Sequence, residues 1–172
     1  MRIHAAIFVK QEVFMQVLFI NAGAKSSGAT QQILLTAQNA LVSDVTSQVI
    51  CLGERNIGFC KGCMSCYETG TCAQRDEMES LMDAIDAAQV LVVATSSYWA
   101  DVPGQFKVFI DRCTVYGDTN PHPSHRALCS GKVCYAFALR AGKRPMECEH
   151  IIGTIAHWYG HMNIQLGGSM YF

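Results

Sequence analysis

Cys60, Cys63, Cys66 and Cys72 fall within thirteen residues, spaced C-x2-C-x2-C-x5-C. Soft thiolates this close together suit an iron–sulfur cluster, a zinc ion or a redox-active thiol loop. A zinc ribbon takes two Cys pairs set about fifteen to twenty residues apart, so one tight run fits a cluster better. Four reduced thiols in a surface loop are the plain alternative. Lys61 and Arg75 flank the run, and positive charge favours thiolates whether or not metal is bound.

A second segment with chemical potential is Asn21-Ala22-Gly23-Ala24-Lys25-Ser26-Ser27-Gly28-Ala29-Thr30. It follows an apolar run and leads into a helical pattern. Small residues let a backbone curl round a phosphate, and a helix N-terminus offers free N–H groups and a favourable dipole. Lys25 adds positive charge, and Ser27 and Thr30 add hydroxyls. Neither Walker A nor G-x-G-x-x-G is present, so a plain Gly/Ser turn with a helix cap remains an equal reading. The six histidines form no ligand motif. His122 and His125 sit in the Pro-containing loop 116–131, which suits a lid or subunit contact. His150, His157 and His161 suit a surface or interface.

Elements must position these groups, and the apolar patterning supplies them. Val17–Asn21, Gln48–Leu52, Val90–Ala94, Lys132–Leu139 and Ile164–Phe172 read as strands. Helices are expected at Ile33–Leu41, at Met78–Ile85 behind an Asp76/Glu79 capping box, after Pro103 with Phe106, Phe109 and Ile110, and at Ile151–Tyr159. This alternation predicts an α/β fold: a doubly wound, five-stranded parallel sheet in the flavodoxin-like order 2-1-3-4-5. Ligands of such a sheet sit beyond the carboxyl ends of the first and third strands. The domain is expected at 15–172, with 1–14 as an N-terminal extension. No final helix follows the fifth strand, and the bare face that results favours a homodimer or homotetramer.

Composition narrows the classes. The chain has 172 residues, half of them hydrophobic, and a net charge of −1. That suits one domain with a sizeable core and gives no basic stripe for nucleic acid and no apolar run long enough for a membrane. Nine cysteines, an odd number, point to a reducing cytoplasmic setting rather than a disulfide scaffold. Cys51, Cys113, Cys129, Cys134 and Cys148 read as small buried hydrophobes.

Three stretches carry a resemblance: the loop 21–30; Ile57–Cys66 continuing through Gly70, Cys72, Asp76 and Met78; and Thr95-Ser96-Ser97-Tyr98-Trp99 followed by Pro103–Lys107 and Phe109-Ile110-Asp111-Arg112. From about Met15 to Phe172 the chain resembles the NADPH-dependent FMN reductase family, most closely its iron–sulfur flavoprotein branch. The resemblance implies FMN, with its phosphate in a loop of Gly23, Lys25, Ser27, Gly28, Ala29 and Thr30. Lys25 stands where the family usually has Arg, and Thr30 matches its Thr. Gly23 replaces a Ser and Ala29 an Asn, so two side-chain hydrogen bonds worth about 1–3 kcal/mol in total are lost.

The resemblance further implies that Thr95, Ser96, Ser97, Tyr98 and Trp99 lie along the flavin, with backbone amides at its polar edge and an aromatic flank. Arg140 would offset charge on the reduced ring. NAD(P)H would be the electron donor and a flavin, quinone or similar small molecule the acceptor. Cys60, Cys63, Cys66 and Cys72 would hold a [4Fe-4S] cluster, with ferredoxin as electron source in an electron-carrier alternative. A third alternative is a non-catalytic flavodoxin-like protein with a zinc-binding Cys loop.

Overall fold

The structure, a computed structural model, describes residues 15–172. The expected extension 1–14 lies outside the described residues. Five strands, β1 (Met15–Asn21), β2 (Val45–Cys51), β3 (Val90–Ser96), β4 (Val133–Leu139) and β5 (Gln165–Tyr171), form one parallel sheet in the order β2-β1-β3-β4-β5. This is the flavodoxin-like order expected from the sequence. Helices α1 (Ala29–Asn39), α2 (Ser65–Thr69), α3 (Met78–Ala87), α4 (Gly104–Arg112) and α5 (Pro145–His161) fill the crossovers.

The strand register explains the two-sided burial. Val17, Phe19, Val92 and Ala94 face α1 and pack with its Leu34. Leu18, Ile20, Leu91 and Val93 face the other way, joining Met82 and Ile85 of α3, Phe106 and Phe109 of α4, and Ile151 and Ile155 of α5. A continuous apolar strand such as β3 is what two covered faces require. Trp158 of α5 locks α4 in place, edge-on to Phe109 at 5.1 Å between ring centroids. Contacts of this kind add about 0.5–1.5 kcal/mol beyond area burial.

The far edge differs. Strand β5 is exposed at all but one position, and the neighbouring Tyr135 of β4 is 40% exposed. A register shift between Cys134 and Tyr135 bends this edge, and a Cβ on Gly167 would lie 2.6 Å from Val133. Among the described residues no helix is long and apolar enough to cross a membrane.

Candidate functional site

The loop after β1 is organised by Asn21, a fully buried amide at the strand's last position. Its Oδ1 accepts the Gly23 N–H at 2.9 Å, while Nδ2 donates to the Lys25 carbonyl (3.1 Å) and to Gln31 Oε1 (2.7 Å). One side chain therefore pins the start of the loop, its middle and the first turn of α1. A Cβ on Gly23 would sit 2.9 Å from Asn21 Oδ1 and 3.3 Å from Thr30 Oγ1. The glycine thus leaves room for the Asn21 brace. Gly28 precedes α1 at φ 128°, which L side chains rarely adopt, and no side chain caps the helix. The first-turn N–H groups of α1 are left open to an anion. Lys25, Ser27, Gly28 and Ala29 are exposed beside them, and Thr30 is buried beneath.

At the end of β3 the backbone departs from the expectation. The Ser97 N–H donates to the Leu139 carbonyl (2.7 Å), and the Tyr98 N–H to the Asp101 carbonyl (2.9 Å). Both amides are consumed internally, the first because the β3–β4 ladder runs to Ser96, two residues past the apolar run Val90–Ala94, and the second in the turn that follows. Trp99 and Ala100 form a two-residue turn, closed by the returning Asp101 N–H to the Tyr98 carbonyl at 3.1 Å. Both carry positive φ, 55° and 64°. Turns of this shape favour Asn-Gly, so Trp-Ala here stores strain. Their N–H groups have no intrachain acceptor among the described residues. Trp99 is fully exposed, Tyr98 is half exposed, and Thr95 Oγ1 is buried without a partner.

The Ser97 hydroxyl donates to Glu147 Oε2 at 3.0 Å, so the first turn of α5 supplies a carboxylate to this rim. Arg140 sits at the end of β4, but its guanidinium turns to the terminal strand. It contacts the Phe172 carbonyl (3.4 Å), Cys148 Sγ (3.7 Å) and the Tyr171 ring (5.8 Å).

The cysteine loop is built differently. Cys60, Cys63, Cys66 and Cys72 all line one cavity of about 50 Å³, closed by Asp111, Arg112, Thr114 and Val115 around the end of α4. None of residues 21–30 or 95–101 lines it. Burial pushes the Cys66 thiol above its ordinary value, and the nearby Cys72, Cys60 and Cys63 push it further. The loop turns through left-handed residues at Gly62, Met64 and Gly70, which bracket the short helix α2. Gly70 is obligatory for space as well: a Cβ would lie 2.7 Å from His122 Nδ1.

Hydrogen bonds fix both ends of this loop. Asn120, itself buried, donates to the Cys66 carbonyl (3.3 Å), and Gln74 Nε2 to the Phe59 carbonyl (2.9 Å). Arg112 and Asp76 form a buried ion pair at 2.6 Å. Burial alone would raise the Asp76 pKa. Hydrogen bonds from Arg112 and from the Gly58 and Met78 N–H groups outweigh that and hold it at about 2. The expected Asp76/Glu79 capping box does not form: Glu77 precedes α3 without a side-chain cap bond, and Asp76 accepts the Met78 N–H at 3.1 Å. Its main partner, however, is Arg112 rather than Glu79. A larger cavity of about 630 Å³ adjoins the loop between Gly70–Glu79, Arg112, Tyr116 and Arg126, away from the rim.

An open helix N-terminus, two free amides and an orphaned buried hydroxyl meet the donor needs of a phosphorylated flavin. Among the described residues no three His, Cys, Asp or Glu side chains converge as a single ion requires. A tetrahedral zinc at ~2.3 Å from each sulfur needs thiolates nearly in contact. A cluster carries its own sulfide and spreads its ligands round a cavity, so the four thiols fit it better than one ion.

The remaining expectations divide. Cys51, Cys113, Cys134 and Cys148 are buried as expected, whereas Cys129 is exposed, its N–H bonded to Asp86. His122 and His125 are bonded within their own loop, which packs on Gly70, and His161 pairs with Asp118 at 2.8 Å on the surface. Asn21, Arg112, Asn120 and Glu147 were not singled out as site residues by sequence reasoning. A polar residue closing an otherwise apolar strand was the one available signal, and it pointed to Asn21.

A parallel sheet in this order, with its ligand loops gathered at the strands' carboxyl ends, defines the flavodoxin-like class. Residues 15–165 match the family described as NADPH-dependent FMN reductase, and the chain belongs to that family. It is 32% identical over 110 residues to an iron-sulfur flavoprotein of Archaeoglobus fulgidus, covering 63% of this chain and 47% of that protein. To an iron-sulfur flavoprotein of Clostridioides difficile it is 33% identical over 102 residues, covering 57% and 45%. The chain thus spans about half the length of these curated relatives. Among solved structures, an azoreductase superposes with a TM-score of 0.69 at 15% identity over 91% of this chain and 86% of that one. An apo NADH:FMN oxidoreductase superposes at 0.63, with 16% identity over 91% and 74%. At such identities these likenesses show the fold.

Proposed function

We propose that the chain is an FMN-dependent NAD(P)H oxidoreductase acting on flavins, quinones or similar small acceptors. The observation that carries this reading is the pairing, at one end of the sheet, of an uncapped α1 N-terminus with the exposed, strained Trp99 turn. FMN, when bound, supplies the redox chemistry between a nicotinamide and an acceptor. The α1 amides, Lys25, Ser27 and Thr30 hold the phosphate, with Gly23, Gly28 and Ala29 keeping the backbone close. Ser96 and the free amides of Trp99 and Ala100 address the polar edge of the ring. Tyr98 and Trp99 flank its face, and Thr95 Oγ1 gains a partner. Arg140, tied to the terminal strand, acts at longer range.

Protein purified without oxygen provides the test. A flavin absorbance band that bleaches on adding NADPH or NADH, and returns with a quinone, is the expected result. Colourless protein that takes up no added FMN rejects the reading.

A second centre is favoured by the convergence of all four thiols on one cavity, and by relatives that are named iron-sulfur flavoproteins. In this reading Cys60, Cys63, Cys66 and Cys72 hold a [4Fe-4S] cluster, and ferredoxin serves as a redox partner. The free thiols suit a reducing, cytoplasmic setting. Exposed Tyr135, Met170 and Phe172 at the β4–β5 edge favour a homodimer or homotetramer. A monodisperse monomer by light scattering defeats that assembly.

A further inference from the structure

Arg112 takes no part in the flavin rim, yet it is one of the few charged side chains the fold buries, at 2% exposure. It ends α4, and its guanidinium is committed in three directions. Nη1 and Nη2 donate to Asp76 Oδ2 (2.6 Å) and Oδ1 (3.2 Å), the two-pronged grip that only a planar fork can make. Nη1 also donates to the Gly58 carbonyl at 2.8 Å. Nη2 reaches Cys72 Sγ at 3.5 Å. Gly58 enters the cysteine loop and Cys72 leaves it, so one guanidinium closes the loop across its neck. Asp76 fixes that guanidinium and is itself held by the Gly58 and Met78 N–H groups.

We infer that Arg112 is the positioning residue of the cysteine centre, clasping the loop at Gly58 and donating an N–H to Cys72 Sγ. This rests on the reading of the four cysteines as a metal centre. Outer hydrogen bonds orient metal ligands, and their loss typically weakens metal binding about 10–100-fold. Donors to cluster sulfurs also tune the reduction potential. An N–H aimed at sulfur favours the electron-richer state, so its removal moves the potential in the negative direction.

The test compares wild type with Arg112→Lys and Arg112→Gln by reconstituting metal-free, reduced protein with iron and sulfide without oxygen and reading the cluster absorption and its loss to a chelator. Lysine keeps the charge beside Asp76 and preserves the fold, but it cannot hold Asp76, Gly58 and Cys72 together. The expected result is a tenfold or greater acceleration of cluster loss in both variants, with wild-type circular dichroism for Arg112→Lys. In a Cys72→Ser background, Arg112→Lys should cause a smaller further loss than in wild type, because one of its two loop contacts is already gone. After reconstitution with iron and sulfide, the Arg112→Lys cluster should titrate at a more negative potential.

Unchanged cluster retention and potential in folded Arg112→Lys overturn the inference while leaving the cluster reading intact. A wild type that takes up no iron and sulfide rejects the cluster reading, and the inference with it.

Discussion

The rim built by the loops after β1 and β3 and the cysteine loop lie at different places on one sheet and are built on opposite principles. The rim is held from beneath by a neutral amide, Asn21, and presents open backbone donors and an exposed Trp99 to solvent. The cysteine loop is a long excursion with little secondary structure, and a buried charge pair at its neck fixes it. A phosphate needs many modest donors on a pre-shaped backbone. A cluster needs four ligands held in place on a segment with no ladder of its own. The contrast implies that damage to one region leaves the other largely intact.

Cys63→Ser gives the largest effect and tests that independence directly. Iron–sulfide content should fall to background while FMN stays bound at wild-type affinity, since no rim residue lines the cysteine cavity. Loss of both chromophores together would show that the two regions form one unit.

Arg112→Ala comes next. Breaking a buried ion pair from one side leaves an uncompensated carboxylate and typically costs about 3–5 kcal/mol. Denaturant unfolding should show it, with Arg112→Lys falling well short of that loss. The pair also predicts acid sensitivity. Asp76 is held at about 2, below its ordinary 3.8, so its stabilisation is complete above about pH 4 and drains away as pH falls toward 2. The shift corresponds to about 2 kcal/mol. Asp86, whose pKa is also lowered, adds to the same acid limb. Asp76→Asn should flatten part of that limb in pH-dependent unfolding.

At the rim, Asn21→Ala removes three hydrogen bonds at once and leaves the Gly23 N–H buried without its acceptor. A cost of about 1–3 kcal/mol follows from that stranded donor. FMN affinity measured by fluorescence should weaken as the loop loosens, while metal content stays unchanged.

The two regions were unequally legible in the sequence. Strands were readable because burial on two faces demands continuous apolar runs: Val90–Ala94 marks β3 with no tertiary information. The cysteine spacing was equally plain. What held the loop was not, because Arg112 and Asp76 are 36 residues apart and meet only when α4 docks beside the start of α3. Helix α2 has five residues with no apolar period to reveal it. The amides of Ser97 and Tyr98 were expected to face a ligand, but strand ends depend on the neighbouring strand, and Leu139 claims the first of them. Asn120, which fixes Cys66, belongs to a loop whose place only the fold decides.

The smallest effects belong to the Trp99–Ala100 turn, and they discriminate best. A left-handed non-glycine residue costs roughly 1–2 kcal/mol, and two stand side by side here. Ala100→Gly should relieve part of this and raise stability by about 1 kcal/mol, since glycine's greater unfolded-state entropy offsets some of the gain. Trp99→Ala should change stability by no more than about 0.5 kcal/mol, because the ring touches solvent alone. Ligand binding should respond the other way. Losing an aromatic flank worth about 0.5–1.5 kcal/mol weakens FMN roughly two- to tenfold in Trp99→Ala, and a relaxed turn in Ala100→Gly presents the ring less rigidly. Strain kept at a fully exposed tryptophan makes sense only if the ring's position matters to something outside the chain. If Ala100→Gly gains stability and loses no FMN affinity, the strain has another origin, and the flavin-facing role of Trp99 falls with it.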